Sequence, residues 1–352
     1  MRRLGWAFAA LAAAAVAQQA ADPALLAAVN RMRAVDNHAH PPALPTNGAA
    51  DTDYDALPCP PAEPIPGTLL LRADNPIFPR AWAALFGAHT ASEEVAAKAR
   101  IQREQGANYP NWVLDKLGIE TELANRVAMG PGLAPPRFHW VAFADPLLVP
   151  LDASVLASDN PDHKFFFGRE TALLQRTLGA LGMRHPPATL DAYLREVVVP
   201  ALERDKAQGA VAVKFEAAYL RPLNFEPPNM GDAAAIYAAG GAPGKAAYYP
   251  LQDAIFHAIA IEAGKLGLAV HFHTGFGCGS YFDPRRQPCA VDGRVQRPQP
   301  PPYEFRPAPW RPRPLRLDRR LARRQAQRLH RYFRLDLARP ARRDCPDAAD
   351  LP

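Results

Sequence analysis

One unit recurs along the first 284 residues: an amphipathic helical stretch, a glycine, a short apolar run, and a polar residue at the end of that run. Leu190 to Lys206 leads through Gly209 into Ala210-Val211-Ala212-Val213-Lys214-Phe215, and Tyr249 to Lys265 leads through Gly267 into Leu268-Ala269-Val270-His271-Phe272-His273. Phe138 to Asp145 reads as another strand, closed by Pro146, and Ala34 to His40 as the first, preceded by the amphipathic Pro23 to Met32. Ala91 to Gln105 and Trp112 to Val127 read as helices, while Pro41 to Pro66 is a Pro-rich excursion that predicts a long insertion over one mouth of the fold. Helix alternating with apolar strand predicts an α/β protein with a parallel sheet. In doubly wound and barrel sheets alike, chemistry gathers at the strands' C-terminal edge.

The chemistry-bearing residues fall at those edges. Strand side chains alternate between faces, so His38 and His40, two apart, project to one side with room for an ion between them. With 10 histidines in 352 residues, chance predicts about 0.3 His-x-His pairs. This chain has a second, His271 and His273, followed by the turn Thr274-Gly275. Neutral imidazoles are sound ligands for Zn, Mn, Fe or Ni. His38, His40 and His273 are therefore the expected metal ligands, with His271 in a structural role. Lys214 closes the strand between the two histidine strands, and a desolvated lysine there can act as a base or form a covalent adduct. Asp145 is expected to cap the turn before Pro146.

Asp36-Asn37-His38-Ala39-His40 resembles the D-x-H-x-H first-strand motif of the metal-dependent amidohydrolase superfamily. Val213-Lys214-Phe215 with Ala217-Ala218-Tyr219, and His271 to Gly277, resemble its amidohydrolase-related branch, the likeness covering about residues 25 to 284. The resemblance implies a (β/α)8 TIM barrel with one or two divalent ions at the strands' C-terminal ends. His38 and His40 would be first-strand ligands, Lys214 the fourth-strand residue that is carboxylated in some members, and His273 the fifth-strand ligand. The implied activity is attack of metal-activated water on a carbonyl-type bond of a small molecule (an amide, lactone or ester), with zinc the first expectation for the metal and Mn, Fe or Ni the alternatives. Some relatives decarboxylate or isomerise instead, so a lyase of the same fold is one alternative and a non-catalytic remnant or binding protein another.

The two ends depart from this pattern. Arg2 and Arg3, the apolar run Leu4 to Val16 and the small residues before Gln18 read as an export signal over residues 1–17, which predicts a periplasmic or secreted protein. Thirteen apolar residues fall short of the roughly 20 that span a bilayer, and no later segment reads as a membrane span. Cys59, Cys278, Cys289 and Cys345 lack metal-site spacing, and export permits a disulfide among them.

From Pro284 the helix-strand rhythm stops. Residues 285–352 hold 18 Arg, 12 Pro, one Gly, no Lys and seven acidic residues, so the net charge of +6 belongs to this segment, and the chain before it is acidic by five charges. The sixth-strand His and eighth-strand Asp that the resemblance implies are not visible there. Codons compatible with the sequence from Gln287 to Arg311, read one nucleotide later, can spell a strand-like run ending in His-Gly-Gly, which predicts a frameshift near Asp283 to Arg286. A polyanion-binding tail is the competing reading. The segment lacks Lys, and Tyr303, Phe305 and Trp310 have no stacking-motif spacing, so no nucleic-acid partner is expected. The expected layout is thus a signal peptide over 1–17, a truncated barrel of about five βα units over 18–283, and an anomalous Arg/Pro-rich tail over 284–352, so the written chain is expected to fold poorly and its hydrolase activity to be impaired.

Overall fold

Five parallel strands lie side by side in chain order in the computed structural model, which describes residues 22–44, 50–59, 77–274, 277 and 279. The export signal, the tail and the inferred frameshift lie outside the described residues. The first helix, α1 (Pro23–Asn30), is capped by the Asp22 carboxylate, which accepts from the Ala24 N–H, with Pro23 at the first helical position. Strand β1 (Ala34–Ala39) follows. Then come α2 (Ile77–Phe86), which falls beyond the stretches read as helical, and α3 (Ala91–Gln105), capped by Thr90, whose bounds match the sequence reading.

The expected helix over Trp112 to Val127 is half helix and half strand. It begins as α4 (Tyr109–Leu117), but Gly118 takes a left-handed φ of 67° and ends it, and Ile119–Arg126 runs on as β2. Glu120 and Glu122 interrupt the apolar pattern by which a buried strand is usually recognised. This extra strand makes β4 the fourth, the place the resemblance implied for Lys214. After β3 (Phe138–Phe143) come α5 (Ser154–Ala157) and α6 (Pro161–Ala180), then α7 (Leu190–Tyr193), joined to α8 (Val199–Ala207) by a π-helical turn. Strand β4 (Ala210–Phe215), α9 (Met230–Ala239), α10 (Lys245–Lys265) and β5 (Ala269–Phe272) complete the order.

Each strand pairs in parallel with its sequence neighbour. A doubly wound sheet reverses its strand order at a switch point, whereas a barrel wall does not. The described part is therefore an incomplete TIM-like α/β fold. Leu174 and Leu178 of α6, Val197 and Leu202 around α8, and Ile255 and Ile259 of α10 pack with Trp140, Val213 and Phe215 in one continuous core. No helix lies between β2 and β3, and a cleft of about 230 Å³ opens there on the helix side, lined by Trp140, Leu173, Arg176 and Arg204 among others. It contains none of the histidines. At the β1 edge, Leu25, Val29, Met32 and Val35 stay exposed, an apolar margin of the kind an unclosed sheet leaves. No helix among the described residues is long and apolar enough to cross a membrane.

Glu122 of β2 stands in register with Asp36 of β1. Burial, and next the Asp36 charge, push its carboxyl up to about 7. An acid whose folded pKa is raised costs stability as pH climbs from its unfolded value, near 4.5, through the folded one. Glu122→Gln is accordingly expected to match the parent chain in urea unfolding at pH 4 and to exceed it by about 2 kcal/mol at pH 8, after allowance for solvent screening. A constant difference across that range would contradict the assignment.

Candidate metal centre

The strands end at a common rim, and the rim collects the polar residues. His40 follows β1, Arg126 ends β2, Asp145 opens the turn after β3, Glu216 follows β4 and His273 follows β5. One step deeper, Lys214 is in register with Phe143 on one side and His271 on the other. A register shift between Asp36 and Ala39 bulges β1 at the histidine motif, a local device for re-aiming side chains. Asp36 Oδ1 then accepts from the His38 backbone N–H at 3.0 Å and steadies the bulge.

Lys214 is 1% exposed, and its Nζ lies 2.6 Å from His38 Nε2. A lysine donating here occupies the Nε2 lone pair, so a cation bound at that nitrogen would take the place of the lysine contact. The His38 and His40 rings meet edge to face at 5.3 Å between centroids, and His40 also lies 6.1 Å from the Phe143 ring. The His273 backbone N–H donates to the Phe215 carbonyl at 2.7 Å, and its ring lies 4.7 Å from that of Tyr219. The tertiary structure thus gathers His38, His40, Lys214, His271 and His273 on one side of the sheet.

Burial, then Lys214 and the neighbouring imidazoles, lower His38 and His273 to about 4, so both rings are neutral at pH 7, the form that binds metals. Lys214 is lowered by burial, against which the Glu216, Asp145 and Asp55 carboxylates act in the opposite direction.

Two further donors come from positions that the sequence reading did not single out. Asp55 in the Pro-rich excursion and Glu216 just past β4 join His40, and one donor atom from each lies within 4.8 Å of the others. His40 Nδ1 stands 3.4 Å from Asp55 Oδ2. Glu216 is 3% exposed, donates its backbone N–H to Asp145 Oδ2 at 2.7 Å, and leaves Oε2 without a hydrogen-bond partner. Asp145 is thus a tie between β3 and β4 as well as the start of a turn. Burial raises Asp145 to about 7, and burial with mutual repulsion raises Glu216 and Glu170 well above the usual carboxylate range. This donor chemistry, imidazoles beside buried carboxylate oxygens that lack partners, fits a divalent cation.

Asp55 reaches the rim because arginines strap its segment down. Arg126, 1% exposed, reaches both oxygens of Asp51 at 2.8 and 3.1 Å and also donates to the carbonyls of Pro41 and Ala128. Arg176 of α6 forks onto Asp53 at 2.7 and 2.9 Å, and Arg169 donates to the carbonyls of Asp55 and Ala56. Cys59, four residues further on, is disulfide-bonded. Glu216 carried a usable signal, since it continues the alternation of the Lys214 strand by one more step. Asp55 carried none, because no periodicity runs through residues 41–59 and long-range arginines hold it in place.

No protein-family model and no curated protein matches this chain, so its sheet topology and rim chemistry carry the functional reading.

Proposed function

We propose that the protein is a metal-dependent hydrolase of the amidohydrolase superfamily, with a (β/α)8 barrel in the intact gene product and a truncated one here. Imidazoles from the first and fifth strands and a buried lysine from the fourth converge on one rim, and this carries the reading. His38, His40 and His273 would hold the ion, zinc first by their chemistry. A bound divalent cation lowers the pKa of water from about 15.7 to about 7 and polarises a carbonyl. The chain's own residues do the rest. Burial keeps His38 and His273 neutral for binding, and Lys214 Nζ, its pKa lowered, can hold or pass a proton at hydrogen-bond distance from the imidazole cluster. The loop over Asp51 to Leu57 brings Asp55 Oδ2 to within 3.4 Å of His40 Nδ1 at this rim. The export signal expected over residues 1–17 would put this chemistry outside the cytoplasm.

The test is to purify the full chain, strip it with a chelator, reload it with Zn²⁺ or Mn²⁺, and assay a panel of esters, lactones and amides. Metal-restored turnover, weak in this truncated chain, is the expected result, and it should be lost in His38→Ala and His273→Ala. Release of carbon dioxide without hydrolysis products would move the reading to a lyase. Unchanged metal content in both alanine variants would end it.

A further inference from the structure

The same rim carries more carboxylate than the three-imidazole reading uses. Asp55, Asp145, Glu170 and Glu216 act electrostatically on one another from buried or half-buried positions. Glu170 is fully buried with both carboxylate oxygens lacking hydrogen bonds, and Asp145 Oδ1 and Glu216 Oε2 lack them too. Among the described residues, the cations whose charges reach this group are Lys214 and Arg169. Lys214 Nζ is engaged with His38, and Arg169 gives its hydrogen bonds to backbone carbonyls. Buried acceptors without donors are costly, and their arrangement leaves a place for positive charge.

We infer that Asp55, Glu216 and His40 form a divalent-cation position of their own, at the mouth of the sheet between the strapped loop and the fourth strand. It goes beyond the three-imidazole reading, with which it shares only His40. Two carboxylates and one imidazole make a harder donor set than three imidazoles, one suited to Mn²⁺ and similar oxygen-seeking ions. Glu216 is anchored through its backbone N–H on Asp145, so its free oxygen stays on the rim. Asp55 is presented by Arg169, which grips the loop at the carbonyls of Asp55 and Ala56, and its Oδ1 takes the Leu57 N–H at 3.3 Å while Oδ2 faces His40. Glu170 and Asp145, both fully buried, act electrostatically on Glu216 from within the fold.

Mn²⁺ titration of the chelator-stripped full chain, followed by the loss of the free-ion paramagnetic resonance signal, tests this. The parent chain should take up Mn²⁺, Asp55→Asn and Glu216→Gln should each weaken that uptake by about tenfold or more, and His273→Ala should leave it within about threefold. Thermal unfolding checks folding in the same samples. In chelator the two carboxamide variants should melt no lower than the parent, because each leaves fewer mutually repelling carboxylates, and on adding Mn²⁺ each should shift upward by less than the parent, since the three imidazoles remain. Uptake that survives both carboxamide changes but fails in His273→Ala would overturn this site and leave the three-imidazole reading standing. Absence of Mn²⁺ uptake by the parent would overturn it outright.

Discussion

Lys214→Met is expected to lower kcat by about 10² to 10⁴, the usual contribution of a positioned proton-transfer group, while leaving the circular dichroism of the chain unchanged. Methionine keeps most of the length and fills the same slot between Phe143 and His271, so packing in β4 is retained. What is lost is the ammonium 2.6 Å from His38 Nε2. His38 also loses a charge that holds its pKa down, so its pKa should rise, and metal binding should become more sensitive to acid. The measurement is kcat on the best substrate of the ester, lactone and amide panel, with the pH dependence of metal content read in parallel. A kcat within threefold of the parent would show that the lysine merely fills space.

Arg126→Met should destabilise the fold by about 3 kcal/mol, toward the low end for breaking a buried pair by removing one partner. For a described region of over 200 residues this lowers Tm by roughly 6–12 °C. The cause is specific. Asp51 would be left half-covered without its two-pronged partner, and the carbonyls of Pro41 and Ala128 would lose donors. Burial alone would raise the Asp51 pKa, but hydrogen bonds from Arg126 and from the Ala43 and Asp53 N–H groups, with the guanidinium charge, hold it below the ordinary carboxylate range. A depressed acid stabilises the fold above its unfolded pKa, near 3.8, and that contribution fades as pH falls through the folded value. The gap between parent and variant should therefore be full at pH 7 and narrow as the solution is acidified below pH 4. A pH-independent gap would indicate lost packing alone. Because this strap carries Asp55 to the rim, the same variant should also loosen Mn²⁺ uptake.

Much of the scaffold was legible along the chain, and the reasons are local. Helices α3 and α10 and strand β4 announce themselves through period and punctuation: a Thr90 cap, Gly267 after α10, and an uninterrupted apolar run into Lys214. Strand β2 was read as a helix because its glutamates break the apolar run. Glu120 is exposed at the N-terminal end of the strand, where Arg137 donates to the Ile119 carbonyl and pairs with Asp115, and Gly118 alone marked the change of structure. The imidazoles were legible because two-residue spacing on a strand fixes a common face. The carboxylates were not, because nothing local links Asp55 to Glu216, 161 residues later.

The sequence by itself determined which residues could face together within one strand: His38 with His40, His271 with His273, and Lys214 at the end of an apolar run. The parallel α/β plan followed from the repeating helix-glycine-strand unit. Only the tertiary structure decided that these strand ends share one rim, that Lys214 meets His38, and that Asp55 arrives there on an arginine-strapped loop. The physical reason is range. Periodicity and capping are set by neighbours within a few residues, whereas a site assembled from strand ends depends on register, sheet order and ion pairs between residues far apart in the chain.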